Sequence, residues 1–380
     1  MEGPEGHSHR DGEIDDLIDV LEVASASDLI TLSSQVHPGD IEQALDRVSD
    51  ARRIDILRNL PAAVLSEWAD YLSPGDVEVG LDHLTESEQR EVLDSFSDDE
   101  LVDFLQELEV DHRPRFTELL DDQKREVSEA LLCYPEETAG GRMTTACASV
   151  EVGLTVKQAL DQLRDSSRAT ELLSRIFVTD QHKRILGKLR LRDLAFSTWD
   201  TPISELMDDD RTSISALADQ EEAAQMIARY DLMVLPVVDQ EDRLIGIITH
   251  DDALEILEEE STEDIERGAG IGSDSADLAY LQIPVLRHLK RRFGWVLVLA
   301  FLALSSGWVL HAYEDVLTSY YILAIYLPMV VAAGGNTGGQ AATMVIRAMS
   351  LGELGRGEFW RVVWKEGRVG LFAGRAIGDL

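Results

Sequence analysis

Two amide side chains and four glycines form a polar run inside an apolar segment late in the sequence. This glycine-rich run, GGNTGGQ at residues 334–340, follows Pro328 and contains Asn336 and Gln340. Each interior glycine costs a helix about 1 kcal/mol relative to alanine, and backbone released from helical pairing inside a bilayer must face protein or water. The run therefore predicts the wall of a pore, with amide oxygens as neutral ion ligands, or a tight helix contact with amides bonded across it.

Carboxylates are the second set of groups that can bind a ligand. Residues 251–266 are crowded with acidic side chains, and like charges three and four apart destabilise a helix. A counter-ion would relieve this repulsion, and Mg²⁺ needs only one or two carboxylates because it keeps several waters. The alternative is a solvated, charge-rich linker helix. The sensor candidates for Mg²⁺ are Asp98, Asp99, Asp251, Asp252, Glu255, Glu258, Glu259 and Glu263.

Charge divides the 380-residue chain unevenly. From Arg287 onward there are ten basic and six acidic residues, which leaves 24 basic and 66 acidic residues before it, a net charge of about −42. Such a surface repels nucleic acid and attracts cations. Adaptation to a high-salt cytoplasm would also explain the acidity. Only two cysteines are present, and no apolar signal peptide opens the chain, so we expect a cytosolic location for this acidic part, with residues 1–35 as a disordered acidic leader.

A bulky apolar residue recurs every twelve positions between residues 36 and 132, and a second apolar row lies nine residues after the first. The first row is Val36, Val48, Leu60, Leu72, Leu84, Phe96, Leu108, Leu120 and Leu132; the second is Leu45, Leu57, Ala69, Leu81, Leu93 and Leu105. The pattern predicts short helices with N-caps at Ser49, Ser73, Thr85, Ser97 and Asp121. Stacked helical hairpins would form a solenoid; an irregular helical bundle is the alternative.

Residues 138–258 contain an internal duplication. Val150 matches Ile214 at an offset of 64, and Gly187 matches Gly246 at an offset of 59. Each copy predicts an amphipathic helix, a strand, a polar turn, a second strand and another helix. This pattern resembles a tandem pair of CBS domains, a fold that often binds adenine nucleotides and pairs into dimers.

Ligand-binding CBS copies tend to carry Thr or Ser three residues before an Asp, so that the hydroxyl and the carboxylate hold a ribose. The second copy has Thr249 and Asp252 at this spacing, whereas the first has Arg190 before Asp193. The resemblance therefore implies a nucleotide such as ATP in the second copy. A simple helix cap at Thr249 is the alternative.

Residues 293–310 carry no charge and are just long enough to span a bilayer. Basic residues precede them, and the positive-inside rule directs this helix outward and the next one, at about residues 316–347, back to the cytosol. The stretch after residue 369 is too short to span.

The order of these parts, and residues 328–340 in particular, resembles the MgtE family of magnesium channels over residues 36–370. The resemblance implies a multidomain architecture: an all-α superhelical N-terminal solenoid, an α/β tandem CBS pair, a connecting (plug) helix and an α-helical transmembrane region. In that family the plug helix closes the pore when cytosolic Mg²⁺ bridges acidic residues. The family has five transmembrane helices and its principal Mg²⁺-binding aspartate on the fifth, so we expect a truncated transmembrane region that does not conduct by itself. The predicted boundaries are 1–35, 36–137, 138–200, 201–258, 259–285 and 286–380, the last with two full helices and the start of a third.

The resulting hypothesis is Mg²⁺-selective transport across the plasma membrane by a multi-pass homodimer in the lipid bilayer, gated by Mg²⁺ at the cytosolic domains. A membrane-tethered CBS protein that senses adenine nucleotide is the alternative. No nucleophile elbow, phosphate loop or zinc spacing supports an enzyme.

Overall fold

The computed structural model of the chain describes residues 5–108, 111–165, 175–272, 283–350, 354 and 356–378. It divides into two compact units, the first running to Leu257 and the second beginning at Glu258.

The chain begins with two helices where a disordered leader was predicted. They are α1 (Glu5–Val23) and α2 (Ala26–Ser33). Ile14, Leu17 and Leu21 recur at helical spacing, and they are buried together with Leu29 in the core of the domain that follows. The acidic residues between them hide this apolar stripe in the sequence, and the expected disorder is wrong for this segment.

Eight helices follow with a period of twelve residues. They are α3 (Pro38–Leu45), α4 (Asp50–Arg58), α5 (Ala62–Trp68), α6 (Pro74–Leu81), α7 (Glu86–Ser95), α8 (Asp98–Glu107), α9 (Arg113–Thr117) and α10 (Asp122–Leu131). All but α9 begin in the same register, and the five predicted caps stand at N-cap positions. Thr85 and Ser97 form capping boxes with the glutamates three residues on. Ser73 and Asp121 accept one amide each, whereas Ser49 makes no side-chain cap bond.

The stacking of these helices is that of a solenoid. α4 packs on α6, α5 on α7, α6 on α8 and α8 on α10, so that these helices contact the one after next. Both predicted apolar rows line one continuous core, and every member of the second row is buried. The all-α solenoid predicted from the sequence is therefore confirmed.

Basic side chains close the C-terminal ends of several helices in this domain. Lys124 donates its ammonium group to three carbonyls at and just beyond the end of α7, at 2.8 to 2.9 Å. Arg125 reaches the carbonyls after α9, and Arg52 reaches those of Leu21 and Ala24 at the end of α1. A cation suits this position because the last carbonyls of a helix lack partners and carry partial negative charge.

Two α/β modules of the same topology follow the solenoid. The first contains β1 (Ser149–Glu151), α11 (Val156–Asp165), β2 (Ile176–Thr179), β3 (Ile185–Leu189) and α12 (Leu191–Ala195). The second contains β4 (Ile214–Ser215), α13 (Gln220–Tyr230), β5 (Val234–Val238), β6 (Leu244–Thr249) and α14 (His250–Gly268). In each sheet the first strand is parallel to the second and the second antiparallel to the third. The duplication is confirmed; the very short β1 and β4 were not predicted.

The second unit contains the end of α14 and four further helices. They are α15 (Val285–Ala312), α16 (Glu314–Ser319), α17 (Tyr321–Ser350) and α18 (Phe359–Gly378). Within the described ranges, α15 is the one helix both long and apolar enough to cross a membrane. α17 continues as a regular helix through Pro328 and the glycine-rich run, so the backbone there is not released from helical pairing.

Candidate functional site

The first turn of α8 and the first turn of α14 bring acidic residues from the solenoid and the second module together. We call this set the acidic joint: Asp98, Asp99, Glu100 and Asp103 of α8 with Asp251 and Asp252 of α14. Val102 of α8 lies in the same buried apolar cluster as Ala253 and Ile256 of α14, which holds the two helices near each other. The Ser97 capping box fixes the start of α8, because Ser97 N–H donates to the Glu100 carboxylate at 2.8 Å.

Asp99 is the least satisfied member of the acidic joint. Its Oδ1 atom is buried and accepts no hydrogen bond from the part of the protein that the structure describes. Burial, and next the charge of Asp252, raise the pKa of Asp99 from 3.8 to about 6. Burial also raises the pKa of Glu100. The joint therefore holds more negative charge than its own hydrogen bonds compensate.

Asp252 has a partner within its own helix start. It accepts hydrogen bonds from Thr249 Oγ1 at 2.6 Å and from Thr249 N at 3.0 Å, so the Thr249–Asp252 pair acts as a helix cap. Burial nevertheless raises the pKa of Asp252. This carboxylate both caps α14 and repels the carboxylate of Asp99.

The other predicted metal candidates are distributed differently. Asp98 is buried and accepts a hydrogen bond from Thr145. Asp251 and Glu255 are exposed on the first turns of α14. Glu258, Glu259 and Glu263 lie further along α14, in the second unit, and Glu263 pairs with Arg267. Within the described residues no three acidic, histidine or cysteine side chains converge on one point. Mg²⁺ is an ion that needs only one or two carboxylates and keeps its waters.

Sequence reasoning missed the residues that face these carboxylates. Arg142 donates to Gln220 Oε1 at 2.9 Å and lies 3.5 Å from the Asp103 carboxylate, and Thr145 binds Asp98. Both follow the Gly140-Gly141 pair that opens the duplicated region. Their partners on α8 are distant in sequence, and no local spacing signals such a contact.

In the second unit, α14 is tied to the base of α15. Arg291 forms an ion pair with Glu266 and donates through Nε to the carbonyl of Gly272 at 2.7 Å. Gly270 between them has a φ of +69°, and a Cβ there would meet the Trp295 ring at 2.6 Å, so glycine is required on both counts. The predicted connecting helix, α14, thus ends in a turn that these contacts hold in place.

The amide side chains of the glycine-rich run lie on one face of α17. Asn336 and Gln340 are four residues apart and exposed, and nothing lies within 4 Å of the Cβ position of the four glycines. Within the described residues the run therefore forms no tight helix contact, and its face is open.

A helical solenoid, a tandem α/β pair and an apolar helix long enough to cross a membrane define a multidomain protein of the membrane class. Family models match the chain in the same order: the MgtE intracellular N domain at residues 36–137, the CBS domain at 139–197 and 203–259, and the divalent cation transporter at 327–378. The chain belongs to the MgtE family.

Curated relatives support this assignment. The magnesium transporter MgtE of Thermus thermophilus is 35% identical over 367 residues, which is 96% of this chain and 81% of that protein. The magnesium transporter MgtE of Bacillus subtilis is 33% identical over 250 residues, and the match spans about half of its length, 54%.

Solved structures resemble the first unit. The cytosolic domain of the Mg²⁺ channel MgtE in complex with ATP is 34% identical with a TM-score of 0.54, and the match covers 66% of this chain and 98% of that one. The soluble part of a magnesium transporter is 26% identical with a TM-score of 0.55, and the match covers 66% and 99%.

We expect the acidic joint to respond to pH through Asp99. The pKa of Asp99 is higher in the folded chain, about 6, than its ordinary value of 3.8, so folding takes up a proton between these values. In Mg²⁺-free buffer the folded state is therefore stabilised as the pH falls through about 6, by on the order of 1 to 2 kcal/mol. Asp99→Asn should be more stable at neutral pH and lose most of this dependence in scanning calorimetry.

The matched control is Asp122→Asn, which alters an exposed carboxylate of α10. Its pH dependence should equal that of the unaltered chain. Equal pH slopes for Asp99→Asn and the unaltered chain would contradict the expectation.

Proposed function

We propose that the chain carries out Mg²⁺ transport and that Mg²⁺ bound at the acidic joint regulates it. The single observation that supports regulation most strongly is the buried Oδ1 of Asp99, which has no hydrogen-bond partner among the described residues and is repelled by Asp252. The proposal of transport rests on family membership and on relatives that are named magnesium transporters over most of this chain.

A bound divalent ion stabilises the acidic joint. Without it, Asp99 and Asp252 repel each other in a part-buried environment, where charges interact more strongly than in water. An Mg²⁺ ion bound by one or both carboxylates, with waters in its other positions, removes that repulsion. The solenoid and the second CBS copy are then held together at high Mg²⁺ and are released at low Mg²⁺.

The remaining acidic candidates extend this response along α14. Asp251 and Glu255 stand on its exposed first turns, and Glu258, Glu259 and Glu263 follow. We propose that Mg²⁺ near these carboxylates relieves the repulsion among like charges along α14 and so favours the closed state of the transporter.

The membrane part is proposed to be multi-pass, with the exposed amide face of α17 as one wall of the ion path. The exposed apolar surface of α15 fits lipid. Exposed Phe196 and Trp199 in the first CBS copy support a homodimer, because large apolar side chains are seldom left in water without a partner surface. In this proposal the chain has no catalytic role.

Adenine nucleotide is proposed as a second ligand of the CBS pair. The observation in its favour is the Thr249–Asp252 pair, whose hydroxyl and carboxylate lie together at 2.6 Å. A structural relative is a cytosolic MgtE domain in complex with ATP. The first copy lacks this pair, since Arg190 precedes α12 and makes no side-chain cap bond.

The first experiment tests the Mg²⁺ response. Limited proteolysis of the full chain in detergent should slow several-fold in the first unit on addition of millimolar Mg²⁺. The double variant Asp99→Asn with Asp252→Asn should be nearly as resistant without Mg²⁺, because its repulsion is already removed, and should gain little from the ion.

Two controls separate the site from general charge effects. Asp122→Asn should behave as the unaltered chain does. KCl at matched ionic strength should not replace Mg²⁺, because it screens charge without bridging two carboxylates. Equal cleavage with and without Mg²⁺ in the unaltered chain would sink the proposed regulation.

The second experiment tests the proposed pore wall. In a background without Cys133 and Cys147, Asn336→Cys and Gln340→Cys in vesicles should react with a charged, membrane-impermeant thiol reagent. Val330→Cys, from the apolar part of α17, is the control and should react at least about tenfold more slowly, because thiolate formation needs water. Equal rates at all three positions would argue against a water-lined face.

The third experiment tests nucleotide binding by calorimetric titration with ATP and AMP. Thr249→Val should weaken affinity by roughly tenfold, because it removes one hydroxyl from a part-buried polar pair. Asp193→Asn in the first copy is the control and should leave affinity unchanged. Binding unaffected by Thr249→Val would refute this site.

A further inference from the structure

Arg142 extends from a segment that is built into the second CBS copy. Ala139 N and Gly140 N donate to Ala218 O and Ala216 O, both at 2.8 Å. Two residues after Arg142, Thr144 exchanges two hydrogen bonds with Ile247 of β6, both at 2.9 Å. The backbone of Arg142 is therefore fixed on this module, on both sides of the residue.

The side chain of Arg142 reaches from this module to the solenoid. Its Nε donates to Oε1 of Gln220, a buried residue at the start of α13, at 2.9 Å. Its Nη1 lies 3.5 Å from Oδ2 of Asp103 on α8, and the side chain is 17% exposed. Because a guanidinium group is planar and rigid, the bond to Gln220 on one edge directs the other edge toward α8.

The charge of Arg142 acts on both halves of the acidic joint. It pairs with Asp103 from the solenoid, and it also attracts Asp252 at the start of α14. Within the described part of the chain, Arg142 leaves Asp99 Oδ1 without a hydrogen bond. The positive charge of Arg142 thus offsets part of the repulsion among the carboxylates of the acidic joint. Another cation can offset the rest.

We propose that Arg142 is a positioning residue of the Mg²⁺ sensor: a permanent cation that holds the solenoid against the second CBS copy before any divalent ion binds. This inference rests on the proposed regulation by Mg²⁺. A contact made only in the closed arrangement raises the closed population in the absence of ligand, and a ligand that binds that arrangement then needs less free energy to complete the shift. Arg142 thereby sets the closed population in the absence of Mg²⁺, and Mg²⁺ binding raises that population further.

The test is hydrogen exchange of α8 and α14 in the full chain in detergent, as a function of Mg²⁺ concentration. In Mg²⁺-free buffer, Arg142→Gln should raise the exchange rate of both helices about three- to tenfold, since a charge-assisted contact across the joint is lost. Saturating Mg²⁺ should return both helices to the rate of the unaltered chain. Arg142→Lys should give an intermediate rate, because it keeps the charge but loses the planar two-edged geometry.

Arg125→Gln is the matched control, since this arginine binds backbone carbonyls within the solenoid. The Arg125→Gln variant should exchange faster around α9, and Mg²⁺ should not return it to the rate of the unaltered chain. A second variant, Asp103→Asn, removes the negative charge of the acceptor on α8, and in that background Arg142→Gln should have a much smaller effect.

The outcomes separate the two proposals. No Mg²⁺ effect in the unaltered chain would overturn the proposed regulation itself. A normal Mg²⁺ effect with unchanged exchange in Arg142→Gln would overturn only the role of Arg142. Raised exchange throughout the first unit that Mg²⁺ does not restore would give Arg142 a purely structural role and would also overturn the inference.

Discussion

Repulsion between carboxylates on α8 and carboxylates at the start of α14 is the interaction on which the regulatory region depends. Apolar packing of Val102 near Ala253 and Ile256 brings the two helices together, while Asp99 and Asp252 oppose that approach. The apolar attraction and the carboxylate repulsion are closely balanced, so a bound cation is enough to determine whether the two helices stay together. A fully paired or an apolar interface would lack the uncompensated carboxylate charge that a divalent cation binds.

The distribution of basic residues explains why this repulsion persists. The chain has 34 basic residues against 72 acidic ones, and several in the solenoid are engaged by backbone carbonyls. Lys124 and Arg125 bind carbonyls at helix ends, so much of their charge stabilises the fold locally. The net acidity of the first unit is therefore exposed to solvent cations.

Local patterns in the sequence predicted most of the fold. The apolar rows and the caps recur at a fixed spacing, and both depend only on neighbours along the chain, so the solenoid and the duplicated module could be predicted. The contact of Asp99 with Asp252, and of Arg142 with Asp103, depends on the packing of separate domains and has no local signal. The helices of residues 5–33 were missed because acidic residues interrupt their apolar stripe. The glycine-rich run stays helical because the long segment around it continues the backbone hydrogen bonds.

The fixed spacing of the solenoid also constrains how this domain can change during evolution. Seven of the eight described helices α3–α10 start in one twelve-residue register, and α4, α5, α6 and α8 each contact the helix after next. Because an α-helix turns about 100° per residue, a single insertion within a helix would rotate the apolar rows that follow it away from the core. Changes in length are therefore better tolerated in the turns between helices, or as whole hairpins of two units that gene duplication and recombination between repeats can add, than inside a helix.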